Sequence, residues 1–244
     1  MKEIEFQDKD QQGLRTLETI GKADKFNQWM FNTIAPYCSG KILEIGSGIG
    51  NISQFFLESG FEITLSDVRD SYCEALKHKF SKAEPQVKVL LIDLADMAFE
   101  DTYVMYQGAF DTVFALNVVE HIKDDHRALK HCRFLLKEGG NLIILVPAFQ
   151  NLYNTFDAEL GHYRRYTKNS LRSLFLANGL DIIYSQYFNL AGIPGWFLSG
   201  RILRKKTIPA GQMGFYNTLV PFFKVIDKIV LKRCGLSVIV VGRK

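Results

Sequence analysis

Between residues 41 and 187, short β-branched and apolar runs alternate with stretches whose apolar residues recur at helical spacing. The runs are KILEI (41–45), FEITLS (61–66), VKVLLI (87–92), FDTVFAL (110–116), NLIILV (141–146) and LDIIYS (180–185). The spacing predicts helices over 50–59, 69–80, 124–137 and 168–178. Several runs are apolar almost throughout, as in strands of a parallel sheet covered by helices on both faces. Alternation repeated this often predicts an α/β fold, a Rossmann-like doubly wound sheet. The loops after its strands then share one edge, where such sheets bind ligands. Gly60, the Gly139–Gly140 pair and Gly179 stand where three of the helices should stop. Ahead of the first strand, 22–38 reads as an amphipathic helix, so residues 1–40 are expected to form an N-terminal helical cap on a 41–187 core.

The pattern breaks at 188–234 and returns in a last strand, LSVIVVG (236–242), within 235–244. The intervening segment holds eight basic residues (Arg201, Arg204, Lys205, Lys206, Lys224, Lys228, Lys232, Arg233) and one acid, Asp227. Its net charge is +7, so the rest of the chain carries −3. In LVPFFKVIDKIVLK (219–232), Lys224, Asp227, Lys228 and Lys232 recur on one helical face, with apolar residues elsewhere. Upstream, Trp196 and Phe197 precede the basic run. Two readings follow: a lid over the active site with its lysines solvated, or a peripheral contact with an anionic membrane.

Composition narrows the class. Of 244 residues, 47% are hydrophobic and 23% charged, which excludes a disordered tail, a collagen-like fibre and a disulfide scaffold. A total charge of +4 is too mild to suggest nucleic acid as a partner. Cys38, Cys73, Cys132 and Cys234 show no metal-ligand spacing, and no metal is expected. The polar start lacks a signal-peptide pattern, and no apolar run approaches the ~20 residues that span a bilayer. The expected location is cytoplasmic, peripheral at the membrane if the basic segment makes that contact.

The candidate chemistry lies at the end of the first strand, in LEIGSGIGNIS (43–53). Gly46, Gly48 and Gly50 form a loop whose backbone a ligand can approach closely, and the next helix opens with free N–H groups. Glu44, just before the loop, repels phosphates and suits a cationic ligand. A dinucleotide fingerprint would have its third glycine at Asn51. Asp67 closes the second strand, where an acid accepts from both hydroxyls of a ribose. Together these point to an adenosine-like ligand that is not a pyrophosphate.

With this loop, Asp67, LIDLAD (91–96), FDTVFALNVVEHI (110–122) and LKEGGNLIILVP (136–147), the chain resembles the class I S-adenosylmethionine-dependent methyltransferases, the quinone-pathway enzymes among them. The resemblance implies a seven-stranded, mostly parallel sheet with an antiparallel last strand and 188–234 as a helical insert before it. It implies S-adenosyl-L-methionine as cofactor. Gly46, Ser47, Gly48 and Gly50 would meet its methionine portion, and Glu44 would hold the loop or face the ammonium. Asp67 would bind the ribose and Val68 would flank the adenine. Asp93 and Leu94 would meet the adenine amine, and Asn117 with Val118 would lie near the sulfonium. Asp93 and Asn117 also read as turn or cap residues.

Methyl transfer to a hydroxyl needs a base, and His121 and His162 are the candidates. Glu120–His121 also reads as the first turn of a helix. In DAELGHYRRYT (157–167), His162, Tyr163, Arg165 and Tyr166 cluster where an acceptor should lie, with Trp196 contributed by the insert. Trp29 reads first as core. The strand-four end LNVVEH lacks the N/D-P-P-Y/F signature, which lowers the odds of amide or base-amine acceptors. The expected function is methylation of a small-molecule or lipid-like acceptor at oxygen. The alternatives are a nicotinamide-dinucleotide oxidoreductase, which Asn51 and Glu44 oppose, and a non-catalytic cofactor-binding scaffold.

Overall fold

The computed structural model describes residues 13–83, 86–203, 205 and 210–244. The first twelve residues of the expected cap, and Arg204 and Lys206 of the basic run, lie outside the described residues. Seven strands form one sheet: β1 (Ile42–Ile45), β2 (Ile63–Asp67), β3 (Val89–Leu91), β4 (Phe110–Leu116), β5 (Leu136–Pro147), β6 (Asp181–Phe188) and β7 (Ser237–Arg243). Their order is β3-β2-β1-β4-β5-β7-β6. β1 to β5 run parallel, and β7 is antiparallel to both β5 and β6. This is the seven-stranded, mostly parallel sheet with an antiparallel last strand that the resemblance implies.

Side chains alternate across it, and both faces are buried. On one face Leu43, Ile45, Val113, Ala115, Leu142, Ile144, Val238 and Val240 pack against helices Asp125–Leu135 and Lys168–Ala177. On the other, Ile42, Leu65, Phe114, Ile143, Leu145, Ile239 and Val241 meet Phe56 and helix Asp24–Ile34. Trp29, on that helix, is buried in the core with its ring 4.5 Å from Phe188.

Two helix stops fall where the glycines predict. Gly60 (φ +77°) and Gly179 (φ +68°) donate back to Leu57 and Leu176. The third does not: the helix ends at Leu135, and Gly139–Gly140 lies inside β5. Extended partners capture that backbone. Leu136 pairs with Phe110, Gly139 N–H donates to the Lys244 carbonyl, and Lys244 N–H donates to the Gly140 carbonyl.

The insert comprises a short helix Gly192–Trp196, a wide turn Phe197–Ile202 and a long helix Ala210–Ile229. The long helix lies beside Asp24–Ile34, where Phe26 N–H donates to Asn217 Oδ1 at 3.1 Å. Its orientation differs from the expected one. Asp227 is buried, accepting from the N–H groups of Asn189 (2.7 Å) and Leu190 (2.9 Å) as the chain leaves β6. Those unpaired donors at the strand end draw the carboxylate inward. The outward face therefore carries Phe215, Phe222, Val225 and Ile229. Among the described residues, no helix is long and apolar enough to cross a membrane.

Candidate active site

A cleft of about 790 Å³ opens at the carboxyl ends of β1, β2 and β4, within the range of small-molecule sites. Its floor is the loop after β1. Gly46 (φ +72°) and Gly48 (φ +55°) line it, and neither tolerates a side chain. A Cβ on Gly46 would fall 2.5 Å from Val118 Cγ2, and one on Gly48 2.8 Å from Leu17 Cδ1. Gly50 is different. It lies outside the lining, and its missing Cβ makes room for Phe80 and Leu76 of the helix Asp70–Lys79 region. Its expected cofactor contact is replaced by a packing role.

Glu44 is buried beneath the loop and accepts from Ser53 Oγ. Burial pushes its carboxyl up to about 7, while hydrogen bonds from Ser53 and Ser47 pull the other way. Of its two expected roles, the geometry displays the holding of the loop. Asp67 ends β2 and lines the cleft, its Oδ2 accepting from Gly48 N–H (3.0 Å) and its Oδ1 from Arg69 N–H (3.1 Å). Burial raises its pKa, and those two N–H groups oppose the rise. Val68 stands exposed on the cleft wall beside it.

Asp93 and Leu94 follow β3 on the same wall. Asp93 Oδ1 caps Ala95 N–H at 2.8 Å, and the Leu94 carbonyl accepts from His131 Nδ1. Asn117 (φ +55°) turns the chain at the end of β4, and Val118 presses on Gly46. Asn51 has a role that the missing third glycine did not reveal. Its Nδ2 donates to the Leu17 carbonyl at 2.9 Å and fastens helical residues 13–21 over the loop.

The far wall is built from 157–165 and the turn after β4. His121, His162, Tyr163, Arg165 and Trp196 all line the cleft. Tyr166 does not. Its ring is buried in the core and its hydroxyl donates to Asp125 Oδ2 at 2.9 Å, so the expected substrate contact is corrected to a structural one. Asp157, which the sequence did not single out, organises this wall. Its Oδ1 accepts from His162 Nδ1 and from Arg165 Nε, each at 2.8 Å, and its Oδ2 caps Asn154 N–H. Burial pushes Asp157 up, but the His162 hydrogen bond and the Arg165 guanidinium hold it below the usual carboxylate range. Arg165 also donates to the Ala148 carbonyl and lies over the Trp196 ring, 4.8 Å from its centroid.

Glu120 completes the group. It is fully buried, and its carboxyl oxygens meet no hydrogen-bond partner beyond the residue's own backbone N–H. Burial pushes it up to about 8, so at neutral pH it carries a proton. The His121 ring is exposed on the cleft side, and the protein packed around it pushes it down to about 3, with His162 and Arg69 adding to the effect. It is a neutral imidazole, stacked edge-on to His162 at 4.6 Å. One ligand atom each of Glu120, His121 and His162 lies within 4.8 Å of the others. The sequence placed Glu120 beside His121, but only the fold brings His162 to them. A cation seated there would first have to displace the Glu120 proton.

The glycine-lined floor, an acid at the end of β2 and a polar wall after β3 suit a nucleoside carrying an amino-acid tail. Known proteins agree. Residues 15–185 match the family model described as a methyltransferase domain. A highly reducing polyketide synthase of Alternaria alternata is 30% identical over 168 residues, covering 65% of this chain and 5% of that protein. A ubiquinone biosynthesis O-methyltransferase of Xanthomonas oryzae is 27% identical over 104 residues, 43% of this chain and 41% of that one. The chain thus spans less than half the length of these curated relatives. In fold it is similar to Haemonchus contortus phosphoethanolamine N-methyltransferase 2 solved with S-adenosyl-L-methionine. The TM-score is 0.58 at 17% identity, over 89% of this chain and 52% of that one. The family match over most of the chain carries the assignment: the protein belongs to the methyltransferase-domain family.

Proposed function

We propose that the protein is an S-adenosylmethionine-dependent methyltransferase whose acceptor is a small-molecule or lipid-like compound methylated at oxygen, with His162 as the base. The observation that carries this reading is the His162–Asp157 pair. With Nδ1–H donated to a buried carboxylate, the ring is held in place and Nε2 is left as the proton acceptor. Hydroxyl acceptors need that service more than amines do. Apolar walls from Phe26, Met30, Phe156, Trp196 and Met213 support a hydrophobic acceptor body. The ubiquinone O-methyltransferase relative supports oxygen as the nucleophile.

S-adenosylmethionine supplies the electrophilic methyl group on a sulfonium. The chain's own work is alignment: Asp67 and the Gly46–Gly48 backbone hold the donor's sugar and amino-acid ends, and the far wall excludes water from the acceptor. The test is transfer of a carbon-13-labelled methyl group into a cell extract, with organic and aqueous fractions separated. The expected product lies in the organic fraction with a methoxy carbon shift. His162→Ala should lower transfer by about 10²–10⁴-fold while binding S-adenosylhomocysteine normally. Label on nitrogen or carbon, or an unimpaired His162→Ala, would defeat the reading.

A further inference from the structure

Helix Ala210–Ile229 is built inside out for a helix on a water-facing surface. Its inner face centres on Met213, Val220 and Asp227, at i, i+7 and i+14, and all three are buried. Its outer face carries Phe215 (71% exposed), Phe222 (68%), Val225 (55%) and Ile229 (74%), at i, i+7, i+10 and i+14. A surface helix ordinarily turns charge outward and apolar residues inward. Here the segment's single carboxylate is the group turned in. Lys228 is exposed along one border of the apolar stripe, with Lys224 next to it on the same side. Adjoining residues add to the apolar area: Leu198, Ile202 and Leu203 are each at least half exposed. They sit in the segment tied to the first turn of the helix by Ser199 Oγ donating to Gln212 Oε1 (2.8 Å). Exposed apolar area of this extent marks an interaction surface.

We propose that this face docks on an anionic phospholipid bilayer, the helix lying in the interface plane with its phenylalanines among the acyl chains and its lysines at the headgroups. Charge selects the occupant. Residues 188–234 carry a net +7, and their only carboxylate is sequestered. Anionic lipid attracts such a surface. A second copy of this chain would bring one basic border against another across a two-fold contact, and like charges oppose that. Twenty residues make a helix about 30 Å long, too polar along its inner side to span a bilayer but well suited to lie on one. Met213 and Tyr216, on its inner side, line the cleft. Docking therefore sets the cleft directly behind the lipid surface, a short path for an acceptor with an apolar tail. The surface itself stands apart from the acceptor assignment, and vesicle binding is measured with no acceptor present.

The test uses the full chain with vesicles of phosphatidylglycerol mixed with phosphatidylcholine, and with vesicles of phosphatidylcholine alone. Co-sedimentation is expected with the mixed vesicles at low salt, weakening as salt rises. Phe215→Ser/Phe222→Ser/Ile229→Ser should lose binding roughly tenfold or more, while S-adenosylhomocysteine titration shows the cofactor site intact. Lys224→Gln/Lys228→Gln, which leaves the apolar face alone, should lose about tenfold. Phe222→Trp should shift its emission to the blue on vesicle addition, a readout that no misfolded variant complicates. Absence of binding to the mixed vesicles overturns the proposal. So does a serine variant that binds as well as the parent. Light scattering without lipid that finds a dimer, dissolved by the same serine substitutions, would assign the face to a second copy instead.

Discussion

Asp67 does two jobs with one carboxylate. It fastens Gly48 and Arg69 by their N–H groups and keeps lone pairs directed at the cleft. Asp67→Ala should weaken S-adenosylhomocysteine binding by about 1.5–3 kcal/mol, roughly ten- to a hundredfold, read by calorimetric titration. Glu120 makes a prediction of another kind. Its folded pKa of about 8 exceeds its ordinary 4.5, so the folded protein keeps a proton that the unfolded chain releases. The stability this gives is complete below 4.5 and is lost as pH rises to about 8. His121, depressed from 6.5 to about 3, acts in the opposite sense below 6.5, because there the unfolded chain binds the proton. Of the two, Glu120 alone titrates between about pH 6.5 and 8, and Glu44, raised to about 7, adds to the loss at the lower end of that window. The urea midpoint of the parent protein should fall across the window, and that of Glu120→Gln should fall less.

At the scale of elements, Asp227 ties the insert's long helix to the chain just past β6 by two bonds. Asp227→Ala leaves the Asn189 and Leu190 N–H groups without their acceptor, at a cost of about 1.5–3 kcal/mol for each bond to a charged group. Limited proteolysis should then cut within 188–234 faster than in the parent, and Asp227→Asn, which keeps an acceptor, should recover most of the protection. The same aspartate shows where sequence reading stops. Its helical spacing with Lys224 and Lys228 was plain, and by pattern alone all three belong on a wet face. Only the strand end at Asn189, with two donors to satisfy, explains why one of them faces in. Gly139–Gly140 is a similar case. The pair looks like a helix stop until Phe110 and Lys244 arrive to pair with the surrounding backbone.

For the whole molecule, strand periodicity was enough to foresee an open α/β sheet with its ligand loops on one edge, because that follows from local pattern, whereas the seven strands and the antiparallel last one came from the family resemblance. Asp67, Gly46 and Gly48 lie where their spacing put them. The far wall was less legible. Asn51 acts through Leu17, far upstream, and Glu120 meets His162 only through the fold; Asp157 stands in the same run as His162 and Arg165, but nothing in that run announces that it is buried and binds both. Tyr166 shows the reverse error, a residue in a promising run whose hydroxyl is claimed by Asp125. Sheet order has a further consequence. β6 touches the sheet only through β7, which is translated after the whole insert. A nascent chain emerging from the ribosome can close β1 to β5 early, but residues 181–188 have no edge to join until 237–243 have been made. The insert thus leaves the exit tunnel while the strand before it is still undocked, and its phenylalanines are in reach of chaperones or of lipid before the enzyme is whole.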